Sequence, residues 1–223
     1  DVYSRHLDVH PFGPFKVFSV REEPLSQTPA KIFKRVFDIV FSTLILVFVY
    51  WWIHAIIYLL TKFSSKGPIF FKQKRVGRGG QEFHCIKFRT MSLNGSGIEG
   101  NGEITKLDDN RITRLGAFLR KTNLDELPQF LNVIKGEMSV LGPRPHMLEE
   151  DYTVAEKLRK YRIRRFVRPG ISGWAQINGY RGGTEDMELM QKRVDHDIYY
   201  IENWSPLLDL KIIWYTILQM LTL

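Results

Sequence analysis

Apolar and polar positions divide the chain into blocks of different period. Residues 39–60 (IVFSTLILVFVYWWIHAIIYLL) carry no Lys, Arg, Asp or Glu. As a helix rising about 1.5 Å per residue, this run is long enough to cross a hydrocarbon layer of about 30 Å. Tyr50, Trp51, Trp52 and Tyr58 suit a membrane interface better than a dry core, so membrane association is favoured over a buried helix of a soluble domain. The run is too long and too far from the chain start for a secretory signal peptide. Lys31, Lys34 and Arg35 precede it, and Lys62, Lys66, Lys72, Lys74 and Arg75 follow it. Basic residues at both ends conflict with a plain span, because a span places the excess on one side. A re-entrant helical hairpin resolves the conflict. Residues 39–60 hold neither Pro nor Gly, which leaves the bulky, polar stretch Trp51–His54 as the local candidate for a bend. A straight span remains the alternative.

After the apolar run the period shifts towards two. Residues 69–91 predict a β-hairpin, with IFFKQKRV and QEFHCIKFRTM as strands and Gly77–Gly80 as the turn. Residues 92–110 are rich in Gly, Ser and Asn and predict a loop. Helical spacing follows at 111–121, 124–135, 148–168 and 185–203, and 207–221 is an almost unbroken apolar stretch suited to an interfacial or core helix. Residues 1–30 contain Pro11, Pro14, Pro24 and Pro29 and one alternating run, Phe15–Val20. They predict a strand followed by a linker, either orphaned from an upstream domain or forming an extended arm. No internal repeat is present.

The 223 residues suffice for one domain with an appendage. A formal net charge of +8 points to an anionic partner: nucleic acid, an anionic membrane or a phosphorylated substrate. Between 62 and 91 eight Lys or Arg face only Glu82, and 159–168 is a second basic stretch. The single cysteine, Cys85, excludes an intramolecular disulfide and a multi-cysteine zinc site. The six histidines show no metal-ligand spacing, and neither a Walker loop nor a nucleophile elbow is present. Disorder throughout and a collagenous chain are excluded by composition. A chain beginning at Asp1 reads as a piece of something longer.

Three segments carry candidate chemistry. In Lys121-Thr-Asn-Leu-Asp-Glu-Leu-Pro-Gln129, Pro128 fixes a helix start near Asn123–Asp125, because proline is tolerated only in the first turn. Asp125 then sits at the N-cap and Glu126 in the first turn. There the helix end favours an ionised carboxylate and a neighbouring phosphate and Mg²⁺; simple capping is the competing explanation. In Leu141-Gly-Pro-Arg-Pro145 two prolines stiffen the backbone around Arg144, a bidentate phosphate ligand by chemistry. In Arg168–Gly179, Trp174, Gln176 and Asn178 have the groups to stack on and hydrogen-bond a base or sugar.

Taken together, these segments resemble the bacterial sugar transferase family of monotopic phosphoglycosyl transferases, the polyprenyl-phosphate hexose-1-phosphate transferases. The resemblance rests on Lys34–Asp38, Gly67–Gly77, Lys87–Met91, Leu119–Gln129, Gly136–Pro145 and Arg168–Gly179, in order from about 31 to the C-terminus. The closing stretch, Arg181–Ile212, is similar to the transferases of glucose 1-phosphate in particular, and Val17–Leu25 is similar to the end of a regulatory domain found in large members.

The resemblance implies an α+β fold: an N-terminal membrane-embedded, re-entrant helix, then a cytoplasmic helical domain with a β-hairpin and interfacial amphipathic helices. Residues 1–30 would be a linker or upstream remnant, 31–61 the membrane element and 62–223 the catalytic domain. It implies transfer of a sugar 1-phosphate from a UDP-sugar, with glucose expected, to undecaprenyl phosphate, releasing UMP. Asp125 would be the nucleophile and Glu126 its catalytic partner, the two holding Mg²⁺, with Lys87, Arg120, Arg144 and Arg181 on phosphate. It further implies membrane lipid as a partner, a possible homodimer, no nucleic acid, and residence at the bacterial inner membrane on its cytoplasmic face, at the first membrane step of exopolysaccharide, capsule or O-antigen synthesis. The family commonly breaks its membrane helix at a proline, which this chain lacks. A non-catalytic membrane-anchored binder of anionic lipid or nucleic acid is the competing function, and a pseudoenzyme scaffold is a second.

Overall fold

The structure is a computed structural model that describes residues 7–12, 15–20, 23–64, 67–92, 109, 111–181 and 186–222. The alternating run Phe15–Val20 is β2, and it pairs antiparallel with β1, Leu7–Phe12. The strand expected alone is therefore half of a hairpin; its partner carries His10 and Pro11 among its apolar positions, which hides the alternation. The segment expected to loop at 92–110 lies almost wholly outside the described residues.

Helix α1, Thr28–Ile45, continues through a π-helical turn, Leu46–Tyr50, into α2, Trp51–Ser64. The irregular turn lies just before Trp51–His54, and helix resumes through those four residues rather than breaking there. Helix α1 is inverted relative to a soluble amphipathic helix: its buried face is Lys34, Asp38 and Ser42, while Ile32, Phe33, Val36, Val40 and Leu44 are exposed. Spacing of four puts the three polar groups on one stripe. This stripe docks on the rest of the chain through hydrogen bonds. Lys34 Nζ donates to Asp209 Oδ2 at 2.7 Å, and Asp38 Oδ1 accepts from Ser139 Oγ at 2.9 Å and from the Val140 amide at 3.0 Å. Arg35 donates to the carbonyls of Val133 and Ile134. Farther along, Tyr50 and His54 stack on Phe88, and His54 also stacks on Phe70. Ile57 packs into the cluster of Tyr50, Phe88 and Leu119. The helix thus lies along the domain from Lys34 to Ile57, and Trp51 and Trp52, 65% and 74% exposed, point outward.

The expected hairpin is β3, Phe70–Val76, and β4, Glu82–Phe88, joined at Gly77–Gly80. Gly79 and Gly80 take positive φ, the conformation the turn requires. Helix α3, Arg114–Lys121, is capped by Thr113, whose hydroxyl accepts from the Gly116 amide. Helix α4, Gln129–Lys135, is pinned to β4 by the buried Asn132. Its Oδ1 accepts from the Ile86 amide at 3.1 Å, and its Nδ2 donates to the His84 carbonyl at 2.7 Å. Two short strands, β5, Ser139–Leu141, and β6, Gly170–Ser172, pair in parallel. A Cβ on Gly170 would lie 2.1 Å from the Gly142 nitrogen, so glycine is what lets the backbones approach here.

The expected helix over 148–168 is broken. Helix α5, Leu148–Lys157, ends at Leu158, whose backbone is extended, and Arg159–Phe166 is a 3-10 segment. The change of helical type turns Tyr161 and Arg164 inward, onto a second cluster built with α7, Met187–Glu202. Helix α6, Trp174–Ile177, and helix α8, Pro206–Leu221, complete the chain. The main core joins β4, α4, β5, α7 and α8 through Cys85, Phe130, Val133, Leu141, Ile201 and Ile212. Asp209 at the start of α8 accepts from Lys34, from the Tyr200 hydroxyl at 2.8 Å and from Trp204 Nε1 at 3.1 Å.

This buried node yields a stability prediction. Asp209→Ala strands Lys34 beside Asp38 alone, 3.7 Å away. Loss of one partner of a buried pair costs about 3–5 kcal/mol. Thermal unfolding in detergent is expected to show that loss, whereas Lys192→Ala, which breaks the exposed pair with Glu188, changes stability by less than about 0.5 kcal/mol.

Candidate active site

Asp125 and Glu126 lie on a separate 3-10 turn, Leu124–Glu126, rather than at the end of α4, which starts only at Gln129 with Pro128 as its cap. Pro128 cannot continue the amide ladder back into the turn, and Asn123 enters it with φ of 56°. Asparagine tolerates this left-handed conformation better than most side chains. Both carboxylates are only 8% exposed.

The two acids have opposite surroundings. Glu126 is clamped: Oε1 accepts from Lys87 Nζ at 2.7 Å and from Arg144 Nη2 at 2.7 Å, and Oε2 accepts from Arg144 Nη1 at 3.2 Å. Burial pushes its carboxyl up, but Arg144 and Lys87 outweigh burial and hold it well below the usual carboxylate range. Asp125 receives no side-chain hydrogen bond or ion pair among the described residues. Burial and the adjacent Glu126 charge exceed the pull of Lys87, Arg144 and Arg120, and its carboxyl is raised to about 6. Near neutrality the group is ionised but proton-hungry, which departs from the strongly ionised cap expected from the sequence. The 3-10 turn offers too little helix end to offset burial.

Each cation comes from a different element. Lys87 stands on β4, opposite Phe71 of β3. Arg144 follows β5 between two prolines, and its carbonyl accepts from Arg164 Nη2 at 2.7 Å. Arg164 is in turn fixed by Asp197 of α7 at 2.7 Å. Arg75 Nη1 donates to the Pro145 carbonyl at 3.2 Å. Arg120 donates Nε to Thr90 Oγ1 at 2.8 Å and sits in the field of Asp125. Helix α3 reaches Thr90 because position 116 is glycine; a Cβ there would lie 1.9 Å from the Thr90 carbonyl oxygen. Arg181 donates to Gln219 of α8 at 3.3 Å and lies within electrostatic reach of Arg144 and Glu126. The fold therefore gathers Lys87, Arg120, Arg144 and Arg181 around the acidic pair.

Other expectations change. Trp174 stacks on Tyr199 and lies under Lys211, Gln176 donates to the Ile171 carbonyl, and Asn178 donates to the Trp174 carbonyl. These contacts help hold α6 in place, while Trp174 remains half-buried and Asn178 exposed. In the basic stretch 159–168, Arg164 and Arg165 are bound to Asp197 and Asp151, so part of it is internal. Thr90, Gly116, Asn132 and Asp197 carried no sequence signal as site supports, since each acts through a partner distant along the chain.

Two acids of unlike environment therefore lie among cations, beside a helix long and apolar enough to cross a membrane. The family model "Bacterial sugar transferase" matches residues 29–223, and the chain belongs to that family, a family of transferases. It is 43% identical over 202 residues to the UDP-glucose:undecaprenyl-phosphate glucose-1-phosphate transferase of Escherichia coli K12, covering 88% of this chain and 42% of the relative. It is 41% identical over 199 residues to the protein of the same name from Caulobacter vibrioides, covering 89% of this chain and 73% of the relative. It is also 42% identical over 165 residues to the UDP-N-acetylgalactosamine-undecaprenyl-phosphate N-acetylgalactosaminephosphotransferase of Aeromonas hydrophila, covering 74% and 38%. The chain thus spans less than half the length of several relatives it matches.

A raised carboxyl opposes folding at neutral pH. The favourable contribution of protonated Asp125 is complete below its unfolded value of 3.8 and is lost as pH rises through about 6. Asp125→Asn is therefore expected to stabilise the chain at pH 7.5, by an amount on the order of 1–3 kcal/mol, and the gain should vanish towards pH 4. Thermal unfolding across that range checks it.

Proposed function

We propose that the chain transfers a hexose 1-phosphate from a UDP-sugar to undecaprenyl phosphate through a covalent intermediate on Asp125. The observation that carries this reading is the division of labour in the acidic pair. Glu126 takes the hydrogen bonds of Lys87 and Arg144, and Asp125 accepts no side-chain hydrogen bond among the described residues. A buried carboxylate without hydrogen bonds is a stronger nucleophile than a solvated one.

An Asp125 oxygen attacks the β-phosphorus, and the bond from that phosphorus to the bridging oxygen breaks. UMP leaves with the bridging oxygen, and the sugar phosphate remains as a mixed anhydride on Asp125. An oxygen of the lipid phosphate then attacks the same phosphorus, the bond to Asp125 breaks and the carboxylate is restored. Lys87, Arg120, Arg144 and Arg181 offset the phosphate charge in both steps. Glucose is favoured because several relatives are named for UDP-glucose, with N-acetylgalactosamine the second candidate.

Magnesium fits this donor set as an ion carried by the diphosphate. Among the described residues no third acidic or histidine group joins the pair to form a protein cage, and magnesium is ordinarily held by one or two carboxylates with substrate phosphates and water. Glu126 and Asp125 are the residues that would hold it, and when bound it would supply charge neutralisation.

The helix Thr28–Phe63 is long and apolar enough to cross a membrane, yet Lys34 and Asp38 near one end and Tyr50, His54 and Ile57 towards the other all dock on one body of packed elements. That supports an element that enters and leaves the membrane on one face, with its apolar side in lipid. The cytoplasmic face of the bacterial inner membrane is the reading, because UDP-sugars are cytoplasmic, and exopolysaccharide synthesis is the process suggested by relatives named for exopolysaccharide production.

UMP release from a panel of UDP-sugars with undecaprenyl phosphate and Mg²⁺ tests the chemistry. Asp125→Asn is expected to abolish turnover, and wild-type kcat/KM should fall about tenfold per pH unit below a pKa of about 6. Robust turnover by Asp125→Asn would remove the covalent step. For topology, Lys31→Cys and Phe63→Cys should label from the same side of sealed vesicles, with the buried native Cys85 silent.

A further inference from the structure

A second cationic site lies away from the acidic pair. A cavity of about 370 Å³ opens between α1, the hairpin turn and the segment preceding β6, and it shares no lining residue with the site around Asp125. Among the described residues its cations are Lys31, Lys34, Arg35, Arg78 and Arg168, and its one carboxylate is Asp38. Asp38 is committed to Ser139 and Val140, and Lys34 to Asp209. Arg35 and Arg168 donate to carbonyls, at Val133, Ile134 and Gly136, which fixes their direction without neutralising them. Among the described residues no carboxylate pairs with Lys31, Arg35, Arg78 or Arg168. Burial and the neighbouring Arg35 and Arg78 lower the proton affinity of Arg168 and outweigh the opposing pull of Asp38, as expected where cations outnumber the carboxylate among them.

The rim is apolar. Ile32, Val36 and Phe166 line the same cavity and are 59%, 55% and 60% exposed. Ile32 and Val36 belong to the outward face of α1, continuous with the surface that carries Val40, Leu44 and Trp51. Exposed Lys31 and Arg78 and half-buried Arg35 and Arg168 beside these apolar groups match a phosphate diester carrying acyl chains. A free phosphate would neutralise the cations and leave the apolar groups in water.

We propose that this cavity binds the headgroup phosphate of an anionic membrane phospholipid, which seats α1 at the membrane surface. Arg35, Arg78 and Arg168 hold the phosphate, Lys31 faces the glycerol side, and the acyl chains run along Ile32 and Val36. The site stands independently of the transfer chemistry at Asp125.

Native mass spectrometry of the full chain in detergent, titrated with phosphatidylglycerol, phosphatidylcholine or inorganic phosphate, tests the proposal. One phosphatidylglycerol per chain is expected to bind in preference to phosphatidylcholine. Lys31→Ala/Arg78→Ala removes two exposed side chains that make no polar contact within the described residues, so the fold should persist, and affinity should drop about tenfold, in line with loss of charge-assisted hydrogen bonds. Arg78→Lys should retain most of the binding. Lys72→Ala/Lys157→Ala, which removes equal charge elsewhere, should leave it unchanged. An equal loss in that control would mean diffuse attraction and overturn the site. So would undiminished binding by Lys31→Ala/Arg78→Ala, or inorganic phosphate displacing the lipid at equal concentration.

Discussion

The ion cluster of Glu126 with Lys87 and Arg144 is the interaction on which the site depends. Three elements far apart in sequence, β4, the turn before α4 and the loop after β5, meet at one carboxylate. Two half-buried cations placed together without an anion would repel; Glu126 offsets that repulsion and stays ionised in doing so. Its neighbour Asp125 is thereby left in the same cationic field with no side-chain hydrogen bond or ion pair among the described residues, and burial dominates there. One acid is clamped and held ionised while the other has its proton affinity raised, although they are adjacent in the chain and equally exposed.

The second constraint is the inversion of α1. A helix with Lys34, Asp38 and Ser42 inside and Ile, Val, Phe and Leu outside is unfavourable in water, where its outer face gains nothing from exposure. In lipid the same face is solvated by acyl chains, and the polar stripe finds partners in Ser139, Val140 and Asp209. The docking contacts run from Lys34 to Ile57, so the helix is part of the domain rather than a tether to it. The cavity beside Lys31 and Arg35 extends the same logic to the headgroup layer, where cations without a paired carboxylate among the described residues lie beside apolar side chains.

Much of this was legible in the sequence because it depends on local pattern. The charge-free run at 39–60, the hairpin at 69–91 and the helix at 185–203 follow from period and turn residues, and they are found as the helix Thr28–Phe63, β3–β4 and α7. Errors arose where tertiary contacts override local spacing. Residues 148–168 hold helical periodicity, yet Leu158 goes extended so that Tyr161 and Arg164 can turn into the core. The short strands β5 and β6 had no signal of their own, since each is three residues long and paired across a wide sequence gap.

The sequence by itself determined the membrane-seeking helix, the basic balance, the hairpin and the adjacency of Asp125 and Glu126, because each is a property of composition or of near neighbours along the chain. The tertiary structure alone decided which of the two acids is clamped and which is free. That choice turns on whether Arg144, held by Arg164 and Asp197 from two other elements, reaches one oxygen or another. Burial and electrostatic field are set by everything packed around a group, and no spacing in the chain encodes them.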